Sequence, residues 1–287
     1  MTNILVTGAT GNVGVNVVRE LRTRAATVRA LVRDPRAAAA ALGDVDLAVG
    51  DFDDPGSLRR ALAGIDRVYL CAADGPRKVV HETAMIDAAA EAGVERIVKL
   101  SAMHADPAAL QPAYRWHGEI EAHLQRSGVP AVVLRPAFFM TNMLMVAEGV
   151  KQTGVLYAPT AGRGVAMIDI RDVAAVAAVT LTTDGHEKQT YDLTGPEAVT
   201  FSDVARAITG ATGHPVRYVD LTEEAARPRF ENAGLPEWLA QHLAGVFGVI
   251  RDGGFANTTE HVAAITGHAA RSVDDFARDF AAAFTPR

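Results

Sequence analysis

The segment Thr7-Gly8-Ala9-Thr10-Gly11-Asn12-Val13-Gly14, set between a short apolar run and an amphipathic one, constrains this chain more than any other stretch. Glycines spaced three apart let a backbone turn sharply at the end of a strand and come close to a ligand at the start of a helix. There the unpaired N–H groups and the positive end of the helix dipole favour an anion. The segment therefore predicts a pyrophosphate site built on Gly8, Gly11, Val13 and Gly14, with Thr10 and Asn12 positioned to add side-chain hydrogen bonds. The spacing is GxxGxxG rather than the GxGxxG of many dehydrogenases, and a purely structural tight turn is the competing reading.

What surrounds the turn fits a dinucleotide fold. Strand-like runs at Asn3 to Val6, Val28 to Val32, Asp46 to Val49, Arg67 to Cys71, Arg96 to Leu100 and Ala131 to Leu134 alternate with helix-length amphipathic segments. Val13, Val17 and Leu21 form one apolar face of the first helix, Val79 to Ala92 forms a second helix, and Tyr114 to Ser127 a third. This alternation predicts an α/β chain with a Rossmann-type doubly wound parallel sheet. Further strands are expected at Met167 to Ile170 and Thr190 to Leu193, around a helix starting near Asp172. Beyond Gly195 the pattern turns mostly helical, and Ser272 with Asp275 can cap a terminal helix carrying Val273, Phe276, Phe280 and Phe284 on one face. The expected division is a dinucleotide-binding domain over residues 1–195 and a smaller, mostly helical C-terminal substrate lobe over 196–287, to which 137–165 contribute.

Composition removes several function classes. A chain of 287 residues that is 49% hydrophobic can bury a sizeable core. Its formal net charge of -6 argues against direct contact with nucleic acid or an anionic membrane. The single cysteine, Cys71, excludes an intramolecular disulfide and a multi-cysteine zinc site. No signal-peptide pattern or membrane-length apolar stretch is evident, so a cytoplasmic location is expected.

At the end of the second strand, an acidic residue would grip a ribose 2'-OH and an arginine would accept a 2'-phosphate. Arg33 stands there, followed by Asp34, which favours NADPH over NADH. A surface Arg33 beside a helix-capping Asp34 is the alternative. Asp51 and Phe52 follow the third strand and could border the adenine, or serve as a turn carboxylate and a core aromatic.

Together these motifs resemble the NmrA-like group of atypical short-chain dehydrogenases, which includes type 2 quinone reductases and cofactor-sensing regulators. The resemblance runs through TGATGNVG at Thr7 to Gly14, VRD at Val32 to Asp34, GDFDD at Gly50 to Asp54 and VERIVKLSA at Val94 to Ala102. It continues in HGEIEAHLQRSGV at His117 to Val129, LRPAFFMTN at Leu134 to Asn142, DIRDVA at Asp169 to Ala174 and ITGH at Ile265 to His268. It implies a Rossmann domain with a small C-terminal substrate lobe, a preference for NADPH, and a nicotinamide near the ends of the fifth and sixth strands. Ordinary short-chain dehydrogenases place a tyrosine four residues before a lysine. Here Tyr114 lies three residues before His117, and His117 takes the lysine's place. Ketone–alcohol chemistry through a tyrosine–lysine pair is therefore not expected.

Candidate catalytic residues are His117 and Ser101, both also expected near the cofactor. Glu121, one turn beyond His117, could orient its imidazole, or the two could form a solvated surface pair. No G-x-S-x-G elbow surrounds Ser101, which argues against a hydrolase. Pro136 and Phe138, with Phe139, follow the sixth strand, where they could wall the nicotinamide or form an ordinary hydrophobic turn. The histidines lack metal-ligand spacing, so no metal is expected; Cys71 reads as a small strand-end residue, Asp169 and Asp172 as structural. The expected function is hydride transfer from NAD(P)H to a small quinone-like or conjugated carbonyl or imine acceptor. The alternative is a non-catalytic NAD(P) sensor that signals to a partner protein. The expected partner is a small-molecule substrate, with a homodimer left open.

Overall fold

A computed structural model describes residues 1–231 and 234–286, with the side chains of Arg227, Phe230 and Glu231 outside the description. The strands are β1 (Thr2–Val6), β2 (Ala26–Val32), β3 (Asp46–Val49), β4 (Arg67–Leu70), β5 (Arg96–Leu100), β6 (Ala131–Pro136), β7 (Val155–Ala158), β8 (Thr190–Leu193) and β9 (Arg217–Asp220). A seven-stranded sheet runs in the order β3-β2-β1-β4-β5-β6-β8, and β7 pairs with β9 in a separate two-stranded sheet. The first six strands pair in parallel. This is a Rossmann-like α/β fold, as the alternating pattern predicts. Strand order reverses between β1 and β4, and in open sheets of this kind ligands bind at the carboxyl ends of the strands beside such a reversal.

The chain divides into two compact units. Unit 1 holds residues 1–109, 113–136 and 170–192, and unit 2 holds 110–112, 137–169 and 193–287.

In unit 1, α1 (Asn12–Arg22), α2 (Pro35–Leu42), α3 (Pro55–Leu62), α4 (Lys78–Glu91) and α5 (Pro112–Ser127) link successive strands. The four-residue spacing of Val13, Val17 and Leu21 buries that face of α1, as its amphipathic pattern requires. After the excursion through α6 (Ala147–Thr153), the chain returns in α7 (Ile170–Thr182), which is almost wholly buried and packs against α1. Its alanine-rich sequence permits that close approach. Two arginines from strand starts satisfy its last carbonyls: Arg67 donates to Leu181 O at 3.0 Å and Arg96 to Thr180 O at 2.9 Å. Such cations complement the negative end of a helix.

Unit 2 contains α6, α8 (Phe201–Thr212), α9 (Glu223–Glu231), α10 (Glu237–Arg251), α11 (His261–Thr266), α12 (Val273–Asp279) and α13 (Ala281–Phe284). Thr200 with Asp203 and Ser272 with Asp275 form complete capping boxes at the starts of α8 and α12. Two sequence expectations fail here. Met167–Ile170 is not a strand: Ala166 donates to Phe255 O, Val165 pairs with Val199, and Ile168 bridges Phe139, so the backbone bonds are shared among separate partners and no ladder forms. The terminal helix is also interrupted. Phe280 leaves helical geometry between α12 and α13 while its ring packs 4.7 Å from that of Phe276. No helix among the described residues is long and apolar enough to cross a membrane.

Candidate active site

The glycine turn lies entirely within unit 1. Buried Thr7 closes the end of β1 onto β4: its hydroxyl lies 3.1 Å from Tyr69 O and 3.0 Å from Cys71 O, and it accepts the Cys71 N–H at 2.9 Å. Gly8 then adopts φ +58°, and a Cβ there would lie 2.6 Å from the Cys71 carbonyl. At Gly14 a Cβ would lie only 2.1 Å from Gly8 O, so the first turn of α1 can pack on the loop only without a side chain. Gly11 is the N-cap, with no side-chain capping bond and no acidic residue in the first helical turn. The helix therefore begins with backbone donors that no side chain has claimed, which suits an anion. Thr10, Gly11 and Asn12 are exposed, whereas Val13 is buried and offers the turn only its backbone. These features fit a dinucleotide pyrophosphate.

Beyond β2, Arg33 is exposed, and the Asp34 carboxylate caps α2 by accepting from Arg36 N at 2.9 Å and Ala37 N at 3.2 Å. Asp34 is thus committed to the helix, as the capping reading holds. Asp51 accepts from Asp53 N at 2.9 Å, which makes it a turn carboxylate in this structure. The half-buried Phe52 ring stacks on His81, with centroids 5.5 Å apart and planes 18° apart. His81 lies 3.1 Å from Asp53, which also pairs with Arg77.

The least expected feature is a chain of buried charges beneath the carboxyl ends of β4 and β5. Lys99 is fully buried, yet it sits in the apolar run of β5. Its ammonium lies 2.8 Å from Glu82 Oε2 and 3.1 Å from His117 Nδ1, and donates to Leu100 O. Glu82, also fully buried, meets Lys78 through Oε1 at 2.9 Å and accepts the Ala72 N–H at 2.9 Å. Lys78 lies 2.8 Å from Ala72 O and 3.0 Å from Asp74 Oδ1. Burial alone would raise the Glu82 pKa, but the two ammonium groups outweigh it and hold the carboxyl below its ordinary value. For Lys78, burial is outweighed by Glu82 and Asp74, and its pKa rises. Lys99 ends on the other side: burial, helped by Lys78, overcomes Glu82 and lowers its pKa.

His117 is 6% exposed and points Nε2 toward Asp74 at 3.9 Å. The expected orientation by Glu121 is corrected: Lys99 holds Nδ1, while Glu121 accepts from the Ser101 hydroxyl and from Arg135 Nε, the latter at 3.1 Å. The reason is reach across the sheet, since β5 and β6 bring Ser101 and Arg135 to α5. Tyr114 is buried, which pushes its hydroxyl pKa up and keeps it protonated. Burial likewise pushes the Cys71 thiol up. Pro136 ends β6, where its carbonyl accepts from Met103 N at 2.9 Å. Phe138 belongs to unit 2, where its ring packs 6.3 Å from Phe201 and 6.4 Å from Phe247.

Reasoning from sequence passed over Lys78, Glu82, Lys99 and Asp74. Two signals were present: a lysine inside the run Arg96-Ile97-Val98-Lys99-Leu100, and Lys78 with Glu82 at helical i,i+4 spacing.

The NmrA-like family model matches residues 1–277. The chain belongs to the NmrA-like family. An NAD(P)H azoreductase of Xenophilus azovorans is 38% identical over 98% of this chain and 99% of its own. A (4-alkanoyl-5-oxo-2,5-dihydrofuran-3-yl)methyl phosphate reductase of Streptomyces griseus is 37% identical over 99% of each. Among solved structures, an NADPH-dependent quinone oxidoreductase of Escherichia coli in complex with NADPH superposes with a TM-score of 0.87. It is 28% identical, covering 96% of this chain and 99% of its own. These relatives agree with the sequence expectation of an oxidoreductase of this family.

Proposed function

We propose that this oxidoreductase binds NADPH in preference to NADH and reduces a planar conjugated acceptor, with His117 as the proton donor. The acceptor class rests on relatives whose names specify an azo compound, an unsaturated lactone and a quinone. Within unit 2, a cavity of about 540 Å³ lined by Phe138, Met143, Tyr157, Phe201 and Phe247 has the size and mostly apolar lining of a small-molecule pocket.

In this reading Gly8, Gly11 and Gly14, with the backbone of Thr10, Asn12 and Val13, hold the pyrophosphate. Arg33 meets the 2'-phosphate, Asp51 and Phe52 border the adenine, and Ser101, His117 and Pro136 stand at the nicotinamide end. Phe138, expected from sequence beside the cofactor, packs within unit 2 against Phe201 and Phe247. NADPH, when bound, supplies the hydride. The protein's part is orientation and delivery of a proton. In this reading Lys99, 3.1 Å from Nδ1, donates to it, and the His117 proton on Nε2 is the one given to a substrate anion.

The test is a turnover panel of quinones, enones and azo compounds with NADPH, alongside cofactor titration without acceptor. NADPH oxidation dependent on at least one acceptor is expected. Tight binding with no turnover across the panel would support the sensor alternative instead.

A further inference from the structure

We propose that Lys99 is a positioning residue that holds His117 as an Nε2–H donor and lends Nδ1 a proton during transfer, and that Asp74 is the group through which Nε2 recovers its proton. This rests on the reading of His117 as proton donor and adds how that donor is set and recharged.

The tautomer follows from counting. An ammonium has three hydrogens and no acceptor. The Lys99 ammonium donates to Leu100 O, pairs with Glu82 Oε2 at 2.8 Å and lies 3.1 Å from His117 Nδ1. A ring nitrogen facing an ammonium must accept, so Nδ1 carries no hydrogen and Nε2 carries it. Asp74, after β4, lies 3.9 Å from Nε2, and Glu121, one turn further along α5, is held by Arg135.

Lys99 is held at the ring by a continuous network. From Asp74, whose side chain is 52% exposed, successive contacts of 3.0, 2.9, 2.8 and 3.1 Å run through Lys78, Glu82 and Lys99 to His117. Two lysines share the Glu82 carboxylate, and the one touching His117 is the one whose ammonium is weakened by burial. Hydride addition with its electron pair leaves the acceptor as an anion. The Nε2 proton passes to that anion while Lys99 gives a proton to Nδ1, leaving a neutral amine and a neutral Nδ1–H imidazole. The ring returns to its first tautomer as the Lys99 amine takes back the Nδ1 proton and one solvent proton reaches Nε2 by way of Asp74, which lies 3.9 Å from it.

Two measurements on the full chain test this. Ring ¹H–¹⁵N correlations of His117 need no turnover: the wild type should show the Nε2–H tautomer and Lys99→Met should lose it. Kinetics should compare a quinone, which takes a hydride and a proton, with a triarylmethane carbocation dye, which takes a hydride alone. For Lys99→Met, quinone kcat should fall at least about tenfold more than carbocation kcat, within the usual scale of general acid help. NADPH affinity should stay within about twofold, since a positioning residue for proton transfer makes no uniform binding contribution. If Lys99→Met does not fold, Lys99→Met/Glu82→Gln, which removes one buried charge of each sign, carries the same comparison. An unchanged tautomer, or equal losses with both acceptors, overturns the proposal. A wild type that reduces neither acceptor overturns the reductase reading and the recharging route with it, while the ring spectra still decide whether Lys99 sets the tautomer.

Discussion

At the scale of single residues, adjacent side chains at the end of β2 have been given different work. The Asp34 carboxylate is occupied by two backbone N–H groups of α2, which leaves Arg33 as the exposed charge facing outward from that strand end. Loss of a charge-assisted hydrogen bond costs about 1.5–3 kcal/mol. Arg33→Ala should therefore weaken NADPH roughly 10- to 100-fold and leave NADH nearly unchanged, as read by fluorescence titration of each cofactor. Equal affinities for both cofactors in the wild type would remove Arg33 from the 2'-phosphate. His117→Ala should lower kcat about 100-fold with NADPH binding retained, the ordinary scale of general acid catalysis. Single-turnover mixing checks it, provided hydride transfer is the step observed. The sequence made His117 and Ser101 visible because both fall at strand or helix positions that point to one sheet edge. It did not reveal their partners. Glu121 is four residues from His117, but side chains from β5 and β6 compete for it, and that competition depends on strand adjacency rather than on spacing.

At the scale of elements, the glycine turn with α1 was the most legible part, because strand, turn and helix are contiguous and each carries its own local pattern. β5 shows the limit of such reading. A periodicity rule sees Lys99 as an interruption of an apolar strand, whereas the fold supplies Glu82 from α4 and His117 from α5 to meet it. That arrangement has an energetic consequence. Glu82→Gln leaves two buried ammonium groups sharing a neutral amide, and breaking a buried pair costs about 3–5 kcal/mol. Urea denaturation should show a loss of that order. Lys99→Met/Glu82→Gln should lose less than the two single losses added together. The sign with pH is fixed by the same contacts. The folded Glu82 pKa is depressed, so its contribution is present above the unfolded value of about 4.3 and disappears as pH falls through the folded one. Wild-type stability should therefore decline on the acid side more steeply than that of Glu82→Gln. In unit 2, Ser272→Ala removes the cap of α12 and should cost about 1 kcal/mol.

For the molecule as a whole, the sequence showed the parallel sheet but not how the chain is shared between its units. Local alternation of strand and helix patterns fixed most of β1 to β6, while β7 and β9 pair Val155 with Arg217 across a long stretch of mostly helical sequence. Neither four-residue strand has a local pattern strong enough to declare itself, and their pairing is a tertiary choice. The same interleaving returns residues 170–192 to unit 1 after the chain has built part of unit 2. Cofactor binding offers a global readout of the smallest feature in that design. A ligand that binds only the folded state stabilises it by about 2.7 kcal/mol at a hundredfold excess over Kd. NADPH should accordingly raise the unfolding midpoint of the wild type in a concentration-dependent way. Gly14→Ala places a Cβ where the Gly8 carbonyl lies 2.1 Å away, so the loop must move off the first turn of α1 and the backbone donors must lose their common aim. The variant should unfold at a lower midpoint without cofactor and gain little from NADPH at concentrations that stabilise the wild type. A Gly14→Ala protein with an undiminished NADPH-dependent rise would show that the pyrophosphate is held elsewhere than on this turn.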